Sequence, residues 1–261
     1  MAKSRSSAKQ GSLASIPGAL VLVGAGKMGG AMLDGWLARK LPPKKLIVLE
    51  PQPSKSIKAL AKRGVRINPK GDVGAVAAMV IAVKPQTAPD ALPLLAALIH
   101  SKTLVVSIMA GRTLGFLESH LPDAAIVRAM PNTPAAIGRG ITVAVGNARV
   151  KAPARKLAHG LLAATGTVEW VDDEALMDAV TAVSGSGPAY VFLLAETMAR
   201  AGAAAGLPAA LAEKLARETV AGSGELLHRS PLPAATLRQN VTSPGGTTAA
   251  ALEVLMGSGG V

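Results

Sequence analysis

The segment spanning residues 19–50 constrains this chain more than any other feature, because its glycines fall where a strand turns into a helix. Ala19–Val23 reads ALVLV, the fully apolar pattern of a buried strand. Gly24-Ala25-Gly26-Lys27-Met28-Gly29 follows at once and fits G-x-G-x-x-G. Over residues 28–40, Met28, Met32, Leu33, Trp36 and Leu37 line one side of a helix, and residues 45–50 (KLIVLE) read as a second strand. Strand, helix and strand in that order form a βαβ unit, the building block of a parallel sheet. Each glycine then has its own task. Gly24 permits the tight turn, Gly26 lets a pyrophosphate approach the backbone, and Gly29 lets helix pack on strand, with free N–H groups at the helix start facing the phosphates. A purely structural turn has the same residues, but the register of both strands with the helix favours dinucleotide binding.

Further strands are expected at 77–83, 104–108, 125–128 and 141–145, with helices at 54–63, 88–99, 114–119 and 152–164. After Trp170 strand patterns disappear. Ala- and Leu-rich helices are expected near 173–183, 189–205, 208–227, 233–240 and 247–255, broken by Gly, Pro and Ser clusters. This divides the chain into a disordered, basic tail at 1–18, a dinucleotide-binding α/β domain at 19–168 and an all-helical domain at 169–261. Ala-rich helix faces permit close approach and suit a subunit interface as well as a core.

Composition narrows the function classes. Of 261 residues 49% are hydrophobic, which excludes a wholly disordered chain. No apolar run reaches the ~18 residues of a membrane span, so no membrane partner is expected. Cysteine is absent, excluding disulfide frameworks, thiol catalysis and thiolate metal ligands, and a reducing cytoplasm is the expected location. The net charge of +12 suggests nucleic acid until it is located. Residues 1–70 carry 14 Lys and Arg against Asp34 and Glu50, whereas residues 71–261 carry 14 charges of each sign. A basic first quarter attracts any anion, a phosphate-bearing cofactor included. With one Tyr, two Phe and two Trp, the chain lacks the stacking aromatics of nucleic-acid readers, and no nucleic-acid partner is expected.

Other loops are open to two readings. Ala82-Val83-Lys84-Pro85 and Ser107-Ile108-Met109-Ala110-Gly111 each end a strand where a cofactor crevice would lie, yet either suits an ordinary strand-to-helix turn. Met130-Pro131-Asn132-Thr133-Pro134 reads better as a turn than as a ligand site. Residues 178–190 and 241–248 are Ser/Thr/Gly/Pro loops entering helices. They either present N–H and hydroxyl groups to a carboxylate or simply cap helices. The four histidines (His100, His120, His159, His228) form no cluster, and no metal site is expected.

The Gly24 loop, AVKP, the turn ending in Gly111, RAMPNTP at 128–134, AVSGSGPAYVF at 182–192 and LRQNVTSPGGTT at 237–248 occur in this order in pyrroline-5-carboxylate reductases. From about residue 19 to 256 the chain resembles that family. The resemblance implies a Rossmann-type doubly wound parallel sheet followed by an all-helical dimerisation domain, hence a homo-oligomer. It implies NADPH- or NADH-dependent reduction of 1-pyrroline-5-carboxylate to L-proline, the last step of proline biosynthesis. By likeness, Gly24, Ala25, Gly26, Lys27, Met28 and Gly29 form the pyrophosphate loop, and Val83, Lys84, Pro85, Ala110 and Gly111 the nicotinamide-side loops. Val241, Thr242, Ser243, Gly245, Gly246 and Thr247 look like the loop that grips the substrate carboxylate. Thr248 matches the family's proton donor or imine-nitrogen hydrogen-bonding residue. A threonine hydroxyl is a poor unaided acid, so Thr248 suits orienting a water or an already protonated nitrogen as well as donating.

Two departures stand out: the 18-residue N-terminal tail exceeds the family's need, and family members usually continue for roughly one more helix. The alternatives are a related β-hydroxyacid-type dehydrogenase or imine reductase, and, in another class, a non-catalytic nucleotide- or nucleic-acid-binding protein. Glu50 bears on cofactor choice. It closes the second strand, where a Rossmann carboxylate would bond the ribose 2′-hydroxyl of NADH and repel the 2′-phosphate of NADPH. Ser54, Lys55 and Lys58 follow it and favour the more anionic cofactor. Unless Glu50 turns into solvent, its nearer charge should win, so both cofactors are expected to work, with NADH at least as good as NADPH.

Overall fold

A computed structural model describes residues 13–260. The chain divides into two compact units, one up to Pro188 and one from Ala189 onward.

The first unit is built on an eight-stranded sheet of β1 (Ala19–Val23), β2 (Leu46–Leu49), β3 (Arg66–Ile67), β4 (Val76–Ile81), β5 (Leu104–Ser107), β6 (Ala125–Met130), β7 (Gly140–Gly146) and β8 (Gly166–Trp170). Their spatial order is β3-β2-β1-β4-β5-β6-β7-β8. The helices are α1 (Lys27–Ala38), α2 (Lys55–Ala59), α3 (Ala88–Ala96), α4 (Leu114–His120), α5 (Ala152–Leu162) and the single turn α6 (Met177–Val180). Side chains alternate between the faces of the sheet. Leu20, Leu22, Leu46, Val48 and Val80 pack with Met32, Leu33 and Trp36 of α1 and Leu161 of α5. Val21, Val23, Ile47, Met79 and Ile81 pack with Leu92 of α3 and Leu117 of α4 on the other side. Burial on both faces explains why these strands read as continuous apolar runs.

The sheet is parallel-dominated, as expected, with one exception: β7 runs antiparallel to β6, while β8 is parallel to β7. Only residues 131–139 join β6 to β7, too few for the helical crossover that a parallel pair requires. Strands β3 and β8 carry little sequence signal: β3 has two residues, and β8 (GTVEW) has too few apolar positions.

The expected boundary at 168 falls inside β8, and by compactness the first unit runs on to Pro188. Met177 is fully buried in the second core cluster. Glu174 pairs with the buried Arg128 of β6 at 2.7 Å and accepts the Leu114 N–H at 2.7 Å. The single helix expected at 173–183 is instead a 3-10 turn, α6 and a π-helical turn over Thr181–Gly185.

The expected disordered tail at 1–18 is too long. Residues 1–12 lie outside the described residues, but Leu13–Ser15 form a 3-10 turn with Leu13 and Ile16 buried in the core. Spaced three apart, those two apolar side chains face the same way, and the Lys45 ammonium donates to the Ile16 carbonyl.

The second unit contains most of α7 (Gly187–Ala204), then α8 (Ala209–Arg229), α9 (Ala234–Asn240) and α10 (Thr247–Leu255). A Cβ on Gly202 would stand 3.2 Å from the Ala212 methyl, so small residues let α7 and α8 approach closely. In the single chain Tyr190, Val191, Phe192, Leu193 and Leu194 are all exposed. Among the described residues no helix is long and apolar enough to cross a membrane.

Candidate active site

The sheet order reverses direction between β1 and β4, and the loops leaving their carboxyl ends meet there. In an open α/β sheet that is where a dinucleotide crevice forms. Gly24 has φ +88°, and a Cβ on it would lie 2.7 Å from the Ala82 carbonyl oxygen. A Cβ on Gly29 would overlap the Gly24 carbonyl oxygen, whereas one on Gly26 would meet nothing within 4 Å. Two glycines are thus required by packing, while Gly26 leaves open backbone. The N-terminus of α1 has no side-chain cap and no acid in its first turn, so the N–H groups of Lys27 to Gly29 are available to an anion. Beside it lies a cleft of about 400 Å³ lined by Ala25, Gly26, Lys27, Gly30, Asp34 and Ser54 among others. An open backbone, an unshielded helix start and a cleft alongside fit a pyrophosphate.

Glu50 faces the glycine loop, not solvent. Its Oε2 accepts the Ala25 N–H at 2.8 Å, and its Oε1 accepts the Gln52 N–H at 3.1 Å. Sequence reasoning missed the residue that fixes its backbone. Asn68, at φ +44°, accepts the Glu50 N–H through Oδ1 at 2.9 Å and donates from Nδ2 to the Glu50 carbonyl at 2.8 Å. Asn tolerates that conformation, but its partner becomes visible only once β3 is laid beside β2.

Next along the sheet, Val83, Lys84 and Pro85 leave β4, while Ala110 and Gly111 follow β5. The two strands are parallel neighbours, and the Ile108 N–H donates to the Ile81 carbonyl at 3.0 Å. Gly111 has φ +69°, which makes glycine the suitable residue there. The fold therefore brings all the sequence-identified cofactor residues, Gly24 through Gly111, to one edge of one unit. Asn132 is occupied structurally, its Oδ1 accepting the Ile141 N–H at 2.9 Å.

Val241, Thr242, Ser243, Gly245, Gly246, Thr247 and Thr248 lie in the second unit, where α9 turns into α10. The Thr242 hydroxyl donates to the Arg238 carbonyl at 2.7 Å, and the Gly246 N–H to the Ser243 carbonyl at 3.1 Å. Gly245 has φ +70°. Gly246 opens α10 without a side-chain cap or an acid in the first turn, leaving amide donors for a small carboxylate. Thr248 is half-buried one residue into that helix.

Fold and site define a Rossmann-type nucleotide-dependent oxidoreductase with a separate helical unit. The family described as pyrroline-5-carboxylate reductase dimerisation matches residues 174–260, and that described as NADP oxidoreductase, coenzyme F420-dependent, matches residues 19–111. A pyrroline-5-carboxylate reductase of Synechocystis sp. is 42% identical over 239 residues, spanning 90% of this chain and 89% of the relative. The solved pyrroline-5-carboxylate reductase of Coxiella burnetii superposes with a TM-score of 0.83 at 33% identity, covering 92% of this chain and 90% of that one. The Plasmodium falciparum pyrroline carboxylate reductase, solved with NADP bound, gives 0.78 at 30% identity, with the same coverages. The chain belongs to the pyrroline-5-carboxylate reductase family.

Proposed function

We propose that this protein reduces 1-pyrroline-5-carboxylate to L-proline, the last step of proline biosynthesis, using NADPH or NADH. The observation that carries this reading is the glycine cradle at α1, with its open Gly26, in a chain of this family. Bound reduced nicotinamide supplies the hydride. The substrate is a cyclic imine whose carbon is electrophilic once its nitrogen is protonated, so hydride and proton together convert C=N to CH–NH. The chain's task is alignment and exclusion of water more than acid–base chemistry. In this reading the first-turn amides of α10 and the Ser243 hydroxyl hold the carboxylate. The Thr248 hydroxyl bonds the imine nitrogen or a water beside it.

The helical unit mediates homo-oligomerisation. We extend this to intertwined α7 and α8 helices between two subunits, because the apolar side chains exposed all round the start of α7 exceed what a soluble surface normally leaves uncovered. Cytoplasmic residence belongs to the same reading and is supported by the cysteine-free composition.

The test is NAD(P)H oxidation by purified protein, expected only when 1-pyrroline-5-carboxylate is added and with proline as product. Oxidation at the same rate without that substrate, or none with it, would exclude the reaction.

A further inference from the structure

We propose that Arg112 is a positioning residue of the nicotinamide site, its guanidinium fixing the spacing between the two strand-end loops that follow β4 and β5. The inference rests on the proposed dinucleotide-dependent reduction for its catalytic consequence, though not for the clamp itself.

Arg112 comes directly after Gly111, whose left-handed conformation turns the chain back toward the neighbouring loop. Its Nε–H and Nη2–H both donate to the carbonyl oxygen of Pro85, at 3.0 and 2.6 Å. That oxygen also accepts the Ala88 N–H at the start of α3, so the guanidinium grips the point where loop becomes helix. From the other side the guanidinium lies over the Phe116 ring, 4.6 Å from its centroid. Phe116 in turn packs on His120 at 4.7 Å. A planar cation held at its edge by a carbonyl and on its face by a ring has little freedom left.

Among the described residues no other hydrogen bond spans these loops. Backbone bonding between the two strands ends with the Ile108 N–H on the Ile81 carbonyl. Beyond it, among the described residues, Arg112 makes the only hydrogen bonds between residues 82–87 and 108–113. Those segments hold Val83, Lys84, Pro85, Ala110 and Gly111, the expected neighbours of the nicotinamide. Hydride transfer is sensitive to placement: a misplacement of about 1 Å can cost ~100-fold in rate. Binding of the distant pyrophosphate is far less sensitive to this gap. Lysine cannot reproduce the clamp, because one ammonium neither forks onto a carbonyl nor stacks as a plane.

The experiment compares wild type with Arg112→Met and Arg112→Lys by amide hydrogen exchange and by kinetics with NADH and its 4-deuterated form. In Arg112→Met, exchange should quicken in residues 83–88 and 109–113 while β1 and β4 keep wild-type protection. Added NADH should protect those loops less than in wild type. The kcat should fall about tenfold or more, with a larger deuterium isotope effect and a nearly unchanged KM for 1-pyrroline-5-carboxylate. Arg112→Lys should lie between the two, and it carries the test should Arg112→Met fail to fold. Wild-type loop exchange in the variants overturns the clamp. Faster exchange with wild-type kcat and isotope effect overturns the positioning role. If wild type itself does not reduce the imine, the reaction assignment fails, while exchange with and without NADH still decides whether Arg112 sets the loops.

Discussion

The backbone N–H of Ala25, inside the glycine loop, donates at 2.8 Å to the carboxylate of Glu50, 25 residues later at the end of β2. This bond joins the first two strand ends of the sheet and holds a negative charge beside the cleft. Asn68 locks the Glu50 backbone from the opposite side, so the carboxylate is held in place before any cofactor arrives. A group fixed in advance discriminates more sharply than one that can swing into solvent.

Cofactor choice should follow from that charge. Both cofactors should support turnover, with NADH at least as effective as NADPH. Glu50→Gln keeps the side-chain length but removes the repulsion of a 2′-phosphate, and the ratio of kcat/KM values should move toward NADPH by about tenfold, or ~1.4 kcal/mol. Glu50→Ser should move it the same way while lowering affinity for both cofactors, because Ala25 loses its acceptor. A strong NADPH preference in wild type that Glu50→Gln leaves unaltered would rule this out.

Two glycines of one loop should behave oppositely. Gly29→Ala drives a methyl into the Gly24 carbonyl, and neither backbone segment can yield cheaply. A loss of about 1–3 kcal/mol or more in unfolding free energy is expected in chemical denaturation. Gly26→Ala adds a methyl in open space. Its stability should stay near wild type while NAD(P)H affinity collapses, since the methyl stands where the pyrophosphate would lie. Equal stability losses in both variants would show that Gly26 is structural.

Thr248→Ala should separate chemistry from cofactor binding. Losing one hydrogen bond to the reacting nitrogen costs ~1–3 kcal/mol, so kcat should drop roughly tenfold to a hundredfold. NADH binding, followed by nicotinamide fluorescence, should hold at the wild-type value. Undiminished turnover would remove Thr248 from the mechanism.

The exposed apolar side chains of α7 should be needed for assembly. Phe192 is 66% exposed and Tyr190 59% exposed in the single chain. Sedimentation should find a dimer or larger species, and Phe192→Asp should yield an inactive monomer that still binds NADH. A fully active monomer at assay concentration would refute obligatory assembly.

Much of the fold could be read along the chain. The strands β1, β2, β4 and β5 are short apolar runs bounded by glycine, proline or charge, and α1 shows its buried side at helical spacing. The glycine loop carries its own requirements within six residues, and the SGSGPAY and SPGGTT segments carry a family signature. All of these signals are local: a few neighbouring residues suffice to express a turn, a period or a motif.

What remained hidden depends on partners far apart in sequence. The direction of the Glu50 side chain rests on Ala25 and Asn68, and the clamp of Arg112 rests on a carbonyl 27 residues earlier. Strand β3 exists because two residues find the edge of β2, not because they read as a strand. Segment 174–180 joins the first unit through Glu174, Arg128 and Met177, although its composition matches the helices after it. Periodicity specifies which face of an element is apolar. Which backbone groups meet across neighbouring strand ends is set by sheet order and register, and those arise only when distant segments pack.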